Sequence, residues 1–139
     1  RAAPAPEAVF NTDQGNLRLA DLRGKVVYLD FWAAWCSPCR SSFPWMNEMH
    51  ARYADKGLVV LAVNLDKDPK ELKAFLAQMP AQFRLAYDPQ GKVAEQYQLK
   101  GMPSSYLIDR QGQIHQVHVG FRDKDKAELE ASIRQLIAK

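Results

Sequence analysis

A run of β-branched and aromatic residues between Lys25 and Trp32 leads, across Ala33-Ala34-Trp35, into the chain's only two cysteines, Cys36 and Cys39. Such a run reads as a strand buried on both faces. Ser37 to roughly Lys56 then reads as a long helix ended by Gly57. The cysteines therefore fall at the first turn of a helix, where positions three apart share a face with Cβ atoms roughly 5–6 Å apart. Only modest adjustment brings them to the roughly 3.5–4.5 Å of a disulfide. The start of a helix carries about +0.5 of an elementary charge, which favours a thiolate over a thiol. One strand-to-helix turn thus supplies a dithiol that closes reversibly, with a nucleophilic first sulfur.

Composition narrows what this turn is for. With 139 residues, 47% of them hydrophobic, the chain is long enough for one domain with an ordinary core. It needs no disulfide as a staple, so the cysteine pair is free for chemistry. The net charge of +3 is mild and basic residues alternate with acidic ones, which argues against nucleic acid as a partner. No apolar run reaches the roughly 18 residues of a membrane span. The small, proline-rich start Arg1-Ala2-Ala3-Pro4-Ala5-Pro6 reads either as a mature end left by removal of a signal peptide or anchor, or as an artificially trimmed end. Residues 1–8 are taken as a flexible lead and residues 9–139 as the domain.

The remaining elements follow from pattern. Val9-Phe10 and Leu17-Arg18-Leu19 flank turn-forming residues and predict a small hairpin. Leu58 to Leu65 is a second buried strand, and Asp68-Pro69 starts a helix running to about Gln78. A short strand near Phe83-Arg84-Leu85, a turn at Asp88-Pro89-Gln90-Gly91 and a helix through Tyr97 follow. Tyr106–Ile108 and Gln113–Val119 form an antiparallel hairpin. Asp125 to Ala138 is an amphipathic helix with Leu129, Ile133, Leu136 and Ile137 on its apolar face. Strands separated by helices, then a hairpin and a helix, predict an α/β fold with a mixed sheet covered on both faces.

Val27-Tyr28-Leu29-Asp30-Phe31-Trp32-Ala33-Ala34-Trp35-Cys36-Ser37-Pro38-Cys39-Arg40 resembles the active-site strand and helix of the thioredoxin superfamily. Pro44 falls where that family kinks its active-site helix, Gly101-Met102-Pro103 resembles its cis-proline loop, and Gly120 resembles the glycine before its last helix. The extra segment between Asp66 and Tyr97, with the N-terminal hairpin, is similar to the TlpA/ResA-type branch of extracytoplasmic thiol–disulfide oxidoreductases.

The resemblance implies a thioredoxin-like fold in which Cys36 attacks and Cys39, one turn inside the helix, resolves the mixed disulfide. Asp30, an acid inside an apolar strand, is expensive without a task or a partner. Thioredoxins carry a buried acid there, and desolvation equips it to exchange a proton with Cys39; the bland reading pairs it with a lysine such as Lys25. Trp35, Met102 and Pro103 are the implied partner-contacting residues, and Ser37 and Pro38 tune the potential. Trp32 reads as core, and Pro44 as structural. Arg40 either favours the thiolate or is solvated. Asp66 is the nearest match to an acid that the TlpA-type branch places after its second strand. Where that branch often carries Glu after CxxCR, this chain has Ser41-Ser42-Phe43.

The implied activity is reduction of protein disulfides in the bacterial envelope or periplasm, for example in cytochrome c maturation. It implies protein thiols and disulfides as substrates, a membrane electron donor, a monomeric chain and no cofactor. Two alternatives stand beside it. A metal-binding or copper-delivery module would use the cysteines with a histidine, although four zinc ligands are not in view, and His115 and His118 have opposite parity along their strand. A thiol peroxidase would need an activated cysteine in a Pro/Thr-containing loop, which the sequence does not offer.

Overall fold

The computed structural model describes residues 2–139. In chain order the elements are β1 (Ala3–Pro4), β2 (Val9–Thr12), β3 (Gly15–Arg18), β4 (Val26–Trp32), α1 (Ser37–Tyr53) and β5 (Leu58–Asn64). Then come α2 (Pro69–Gln78), β6 (Arg84–Tyr87), α3 (Lys92–Gln96), β7 (Ser104–Ile108), β8 (Gln113–Val119) and α4 (Lys126–Ile137). The strands form one mixed sheet in the order β1-β8-β7-β4-β5-β6-β2-β3. Strand β4 lies inside it, parallel to β5 and antiparallel to β7, and all seven of its residues are buried. This is the expected thioredoxin-like α/β architecture.

Strand parity sorts the core into two layers. Tyr28 and Trp32 point into the layer closed by α1, α2 and α4, through Phe43, Met46, Leu72, Leu129 and Ile133. Val27, Leu29 and Phe31 point the other way, against Phe10, Leu19, Val93 and Tyr97. Asp30 shares the parity of Tyr28 and Trp32 and so faces the layer beneath α1.

Local chemistry sets the helix ends. The Asp68 carboxylate accepts from the Lys70 N–H at 3.0 Å and caps α2, with Pro69 in its first turn. A short 3₁₀ turn, Ala54–Lys56, extends α1, and Gly57 closes it at φ +101°, a conformation that favours glycine. No helix among the described residues is long and apolar enough to cross a membrane.

The N-terminal segment is more closely tied to the domain than its sequence pattern conveys. The expected β2–β3 hairpin is present, and its Asn11 and Thr12 pair with Tyr87 and Ala86 of β6, which extends the main sheet. Arg1 of the expected lead lies outside the described residues, while residues 3–8 run along the domain. Ala3 and Pro4 pair with Ile114 and Gln113, Ala5 and Ala8 are buried, and the Tyr97 hydroxyl donates to the Pro6 carbonyl at 2.7 Å. Proline is tolerated there because β1 is an edge strand. The small alanines allow close approach to the sheet.

Candidate active site

The fold brings the end of β4, the start of α1 and the loop before β7 together. Cys36 is the N-cap of α1, with Ser37 first in the helix and Pro38 in its first turn. Its Sγ accepts the Cys39 N–H at 3.3 Å, a position in which Ser or Asp oxygens ordinarily serve. Cys36 and Cys39 form a disulfide across a Cα–Cα distance of 5.2 Å. Cys36 is 6% exposed and Cys39 fully buried, so the first cysteine is the more accessible of the pair. Ser37 and Pro38 are exposed on the turn between them, and Trp35 stands out beside it at 58% exposure. Pro44 lies inside α1 without ending it.

The approach to the cysteines is held at both backbone groups of Ala34. Its N–H donates to Asp66 Oδ2 at 2.7 Å, and its carbonyl accepts from the Arg40 guanidinium at 2.7 Å. Asn64 completes the arrangement: its side-chain amide donates to the same Asp66 oxygen at 2.7 Å, and its Oδ1 accepts the Asp66 N–H at 2.9 Å. Arg40 is thus neither simply solvated nor directed at the sulfur. Asp66→Ala leaves the buried Ala34 N–H without an acceptor, at an expected cost of about 1.5–3 kcal/mol. Asp66→Asn, whose oxygen can receive both donors, should retain most of that stability. Urea midpoints of the oxidised proteins check this, and equal midpoints for wild type and Asp66→Ala would remove the clamp.

Asp30 is 2% exposed, and desolvation pushes its carboxyl well above the ordinary carboxylate range. Its Oδ2 finds no hydrogen-bond partner among the described residues, nor does Nε1 of Trp32, its neighbour on the same strand face. Lys25 forms no ion pair with it; the recorded ion pairs of the described residues all lie elsewhere. Asp30 is therefore an unpaired buried acid on the side of the sheet that Cys39 also occupies.

The Met102–Pro103 peptide bond is cis. Pro103 is buried and its carbonyl accepts the Gly120 N–H at 2.7 Å. Met102 is half-buried, and its own N–H and C=O take no backbone partner among the described residues. An open groove of about 490 Å³ joins this loop to the cysteines, lined by Trp35, Cys36, Leu99, Lys100, Gly101 and Met102.

The sequence reading singled out Cys36, Trp35 and Met102 of these. Leu99, Lys100 and Asn64 went unnoticed. A polar pair Asn64-x-Asp66 ending an apolar strand was the available signal for the clamp. His115 and His118 do not meet: the first contacts Asp109 at 2.7 Å and the second Asp125 at 3.0 Å. No cluster of three or more metal-ligating side chains occurs among the described residues.

Comparison with known proteins agrees with this geometry. The sequence pattern of the AhpC/TSA family matches residues 1–117. A thiol-disulfide oxidoreductase ResA of Bacillus cereus is 34% identical over 125 residues, which span 89% of this chain and 72% of that protein. A proposed thiol:disulfide interchange protein DsbE of Chlorobium tepidum is 50% identical, and its crystal structure superposes with a TM-score of 0.94 over 99% of this chain and 97% of that one. The exposed lipoprotein thioredoxin of Streptococcus pneumoniae is 29% identical, with a TM-score of 0.77 over 94% of this chain and 99% of that one. With a disulfide capping its active helix and these relatives around it, the chain belongs to the AhpC/TSA family as an oxidoreductase of thioredoxin-like fold, of the thiol–disulfide, ResA-like kind.

Proposed function

We propose that this protein reduces disulfides of other proteins outside the cytoplasm. The observation that carries the exchange chemistry is the capping sulfur: Cys36 is the more exposed of the pair and accepts an N–H at the positive end of a 17-residue helix. After reduction the same environment favours the Cys36 thiolate. That thiolate attacks one sulfur of a partner disulfide, forming a mixed disulfide and expelling the partner's other sulfur as a thiolate. Cys39 then gives up its proton and attacks Cys36 Sγ, releasing the second partner sulfur. Two electrons pass to the partner, and Cys36–Cys39 becomes the disulfide. Asp30 trades the proton with Cys39.

Trp35 and the Met102–Pro103 loop hold the partner, the unpaired backbone groups of Met102 being suited to strand-like pairing with it. Ser37 and Pro38 tune the couple from the turn between the sulfurs. A reduced membrane protein is the proposed electron donor, and cytochrome c maturation is a process that such a reductase fits. The exposed-lipoprotein description of the pneumococcal relative supports placement in the envelope. The chain acts as a monomer in this reading.

Two measurements test it. Cys39→Ser should accumulate mixed disulfides on Cys36 in host cells, identifiable after non-reducing separation. Titration of Cys36–Cys39 against glutathione or dithiothreitol should place the couple towards the reducing end of a range from about −270 to −120 mV. A potential at the oxidising end, or no trapped partner, would overturn the reductase assignment. Peroxide consumption in a coupled assay, or retained metal lost in Cys36→Ser, would favour one of the alternatives.

A further inference from the structure

A row of polar side chains leads from the buried acid across the sheet to the surface. In register, Asp30 of β4 stands opposite Ser105 of β7, and Ser105 stands opposite His118 of β8. Residues opposed in this way share one face, with Cβ atoms about 4.5–5.5 Å apart from one strand to the next. The face is the one beneath α1 and α4: Leu107, of the same parity as Ser105, packs there with Tyr28, Trp32 and Cys39. Polar groups in such an apolar layer are costly unless they serve one another or a task. Asp30 and Ser105 are 2% and 4% exposed, whereas the His118 side chain is 20% exposed. Strand β1 pairs with β8 at Gln113 and Ile114, so among the described residues no strand lies outside His118.

The outer end of the row can hold a charge. His118 Nε2 lies 3.0 Å from Asp125 Oδ2, which also accepts the Arg122 N–H at 2.9 Å, with Arg122 Nε 3.7 Å away. The Arg122 N–H, and then His118, hold the Asp125 carboxyl below the ordinary range, so it is a carboxylate and Nε2 its donor. The neutral ring then accepts at Nδ1, and the same carboxylate steadies the ring once protonated. Ser105 can pass a proton on, because a hydroxyl accepts at its oxygen while donating its own hydrogen. Its bond to the His118 carbonyl is long, at 3.4 Å, and leaves it able to turn. Tyr28 adjoins the row: burial, then the charge of Asp30, pushes its phenol up, with Ser105 opposing and Asp125 adding. One phenol thus senses the carboxyls at both ends. At the inner end burial keeps Asp30 protonated, and its Oδ2 has no hydrogen-bond partner among the described residues.

We propose, resting on the reading that Asp30 trades a proton with Cys39, that Ser105 and His118 form the path by which Asp30 exchanges protons with solvent. A protonated acid must shed its proton before it can take another. Asp30 gives its proton to the Ser105 oxygen as the Ser105 hydroxyl passes its own to His118 Nδ1. The imidazolium, held by Asp125, then releases a proton to bulk water. The Asp30 carboxylate accepts the Cys39 S–H proton while the Cys39 sulfur attacks Cys36 Sγ. The mixed disulfide breaks and the partner sulfur leaves as a thiolate with the bonding pair. Asp30 ends protonated as it began, one proton has reached solvent, and no electron has moved along the row. Ser105 and His118 act through Asp30 and do not touch the partner.

The test is single turnover of the intact reduced protein with a symmetric disulfide that releases a coloured thiolate, in dilute buffer near neutral pH. The first thiolate reports attack by Cys36 and the second reports resolution by Cys39. His118→Gln, whose amide can still donate to Asp125, and Ser105→Ala should each slow the second phase about tenfold and spare the first. In an Asp30→Asn background, itself slow, neither should slow it further; losses that multiply would mark independent structural damage and overturn the path. Added imidazole should restore the second phase of His118→Ala and leave that of Asp30→Asn unchanged. A slow Asp30→Asn beside wild-type rates in both His118→Gln and Ser105→Ala would overturn the inference and leave the role of Asp30 intact. A wild-type rate in Asp30→Asn would overturn that role, and loss of both phases in the wild type would overturn exchange itself. If His118→Gln fails to fold, Ser105→Ala carries the test, since it removes one weakly held hydroxyl.

Discussion

Cys36→Ser is expected to lose thiol–disulfide exchange by on the order of 10³-fold or more, because the replaced atom is the attacking nucleophile. The substitution is a sharp test because serine is among the best N-cap residues, so α1 keeps its capping interaction with the Cys39 N–H. Loss of activity then reports loss of the sulfur rather than loss of the helix. The disulfide spans a sequence separation of only three, so its removal costs about 2 kcal/mol on chain-entropy grounds. Cys39→Ser should behave differently, retaining attack on a partner and stalling at the mixed disulfide. The check is stopped-flow reduction of a fluorescent disulfide substrate beside a denaturant melt. Residual turnover in Cys36→Ser near the wild-type value would reassign the nucleophile.

Asp30→Asn carries the second large effect, on stability and on rate together. Burial raises the folded carboxyl pKa well above its unfolded value of about 3.9, the reverse of the usual stabilising aspartate. Between those two values the folded protein holds a proton that the unfolded chain has released, so unfolding is favoured as pH rises. Stability from this group is therefore greatest below the unfolded pKa. It falls with a slope of up to about 1.4 kcal/mol per pH unit, until the folded pKa is reached. Asp30→Asn should abolish that slope, which denaturant titrations between acid and mildly alkaline pH will read whatever the constant offset of a buried amide. If Asp30 also trades a proton with Cys39, the variant should resolve mixed disulfides about 10²-fold more slowly and with a flattened pH profile. An unchanged stability slope would shift the pH dependence to other groups. An unchanged profile would leave Asp30 structural.

Much of this was readable because its determinants are local. The β4 run, the helix start at Ser37, the Pro69 start of α2 and the β7–β8 hairpin each announce themselves within a few residues. Asp30 stood out as a charge in an apolar strand, and its lack of a partner accords with that surprise. What escaped was set by pairing across the chain. Ala3 and Pro4 carry no strand pattern and are ordered by β8, more than a hundred residues later. The docking of Asn11 and Thr12 on β6 is likewise a register between distant segments. Asp66 and Ala34 lie 32 positions apart, so the clamp exists only once β4 and β5 run side by side. Lys100 gains meaning only from the groove it enters, and exposed lysines are otherwise commonplace.

Placing a redox sulfur at the N-cap makes one atom a member of two equilibria. The same Sγ that ends the helical hydrogen-bond pattern also carries the electrons, so helix stability and electron affinity are thermodynamically linked. If the Cys39 N–H binds a thiolate more strongly than it binds a disulfide sulfur, α1 is firmer in the reduced protein and the couple shifts in the oxidising direction. For a two-electron couple about 1.4 kcal/mol corresponds to about 30 mV. Substitutions that stiffen or loosen the first turn, at Ser37 or Pro38, should therefore appear in both a melting curve and a potential. The opening of α1 works as a voltage divider, apportioning one interaction between folding and electron transfer.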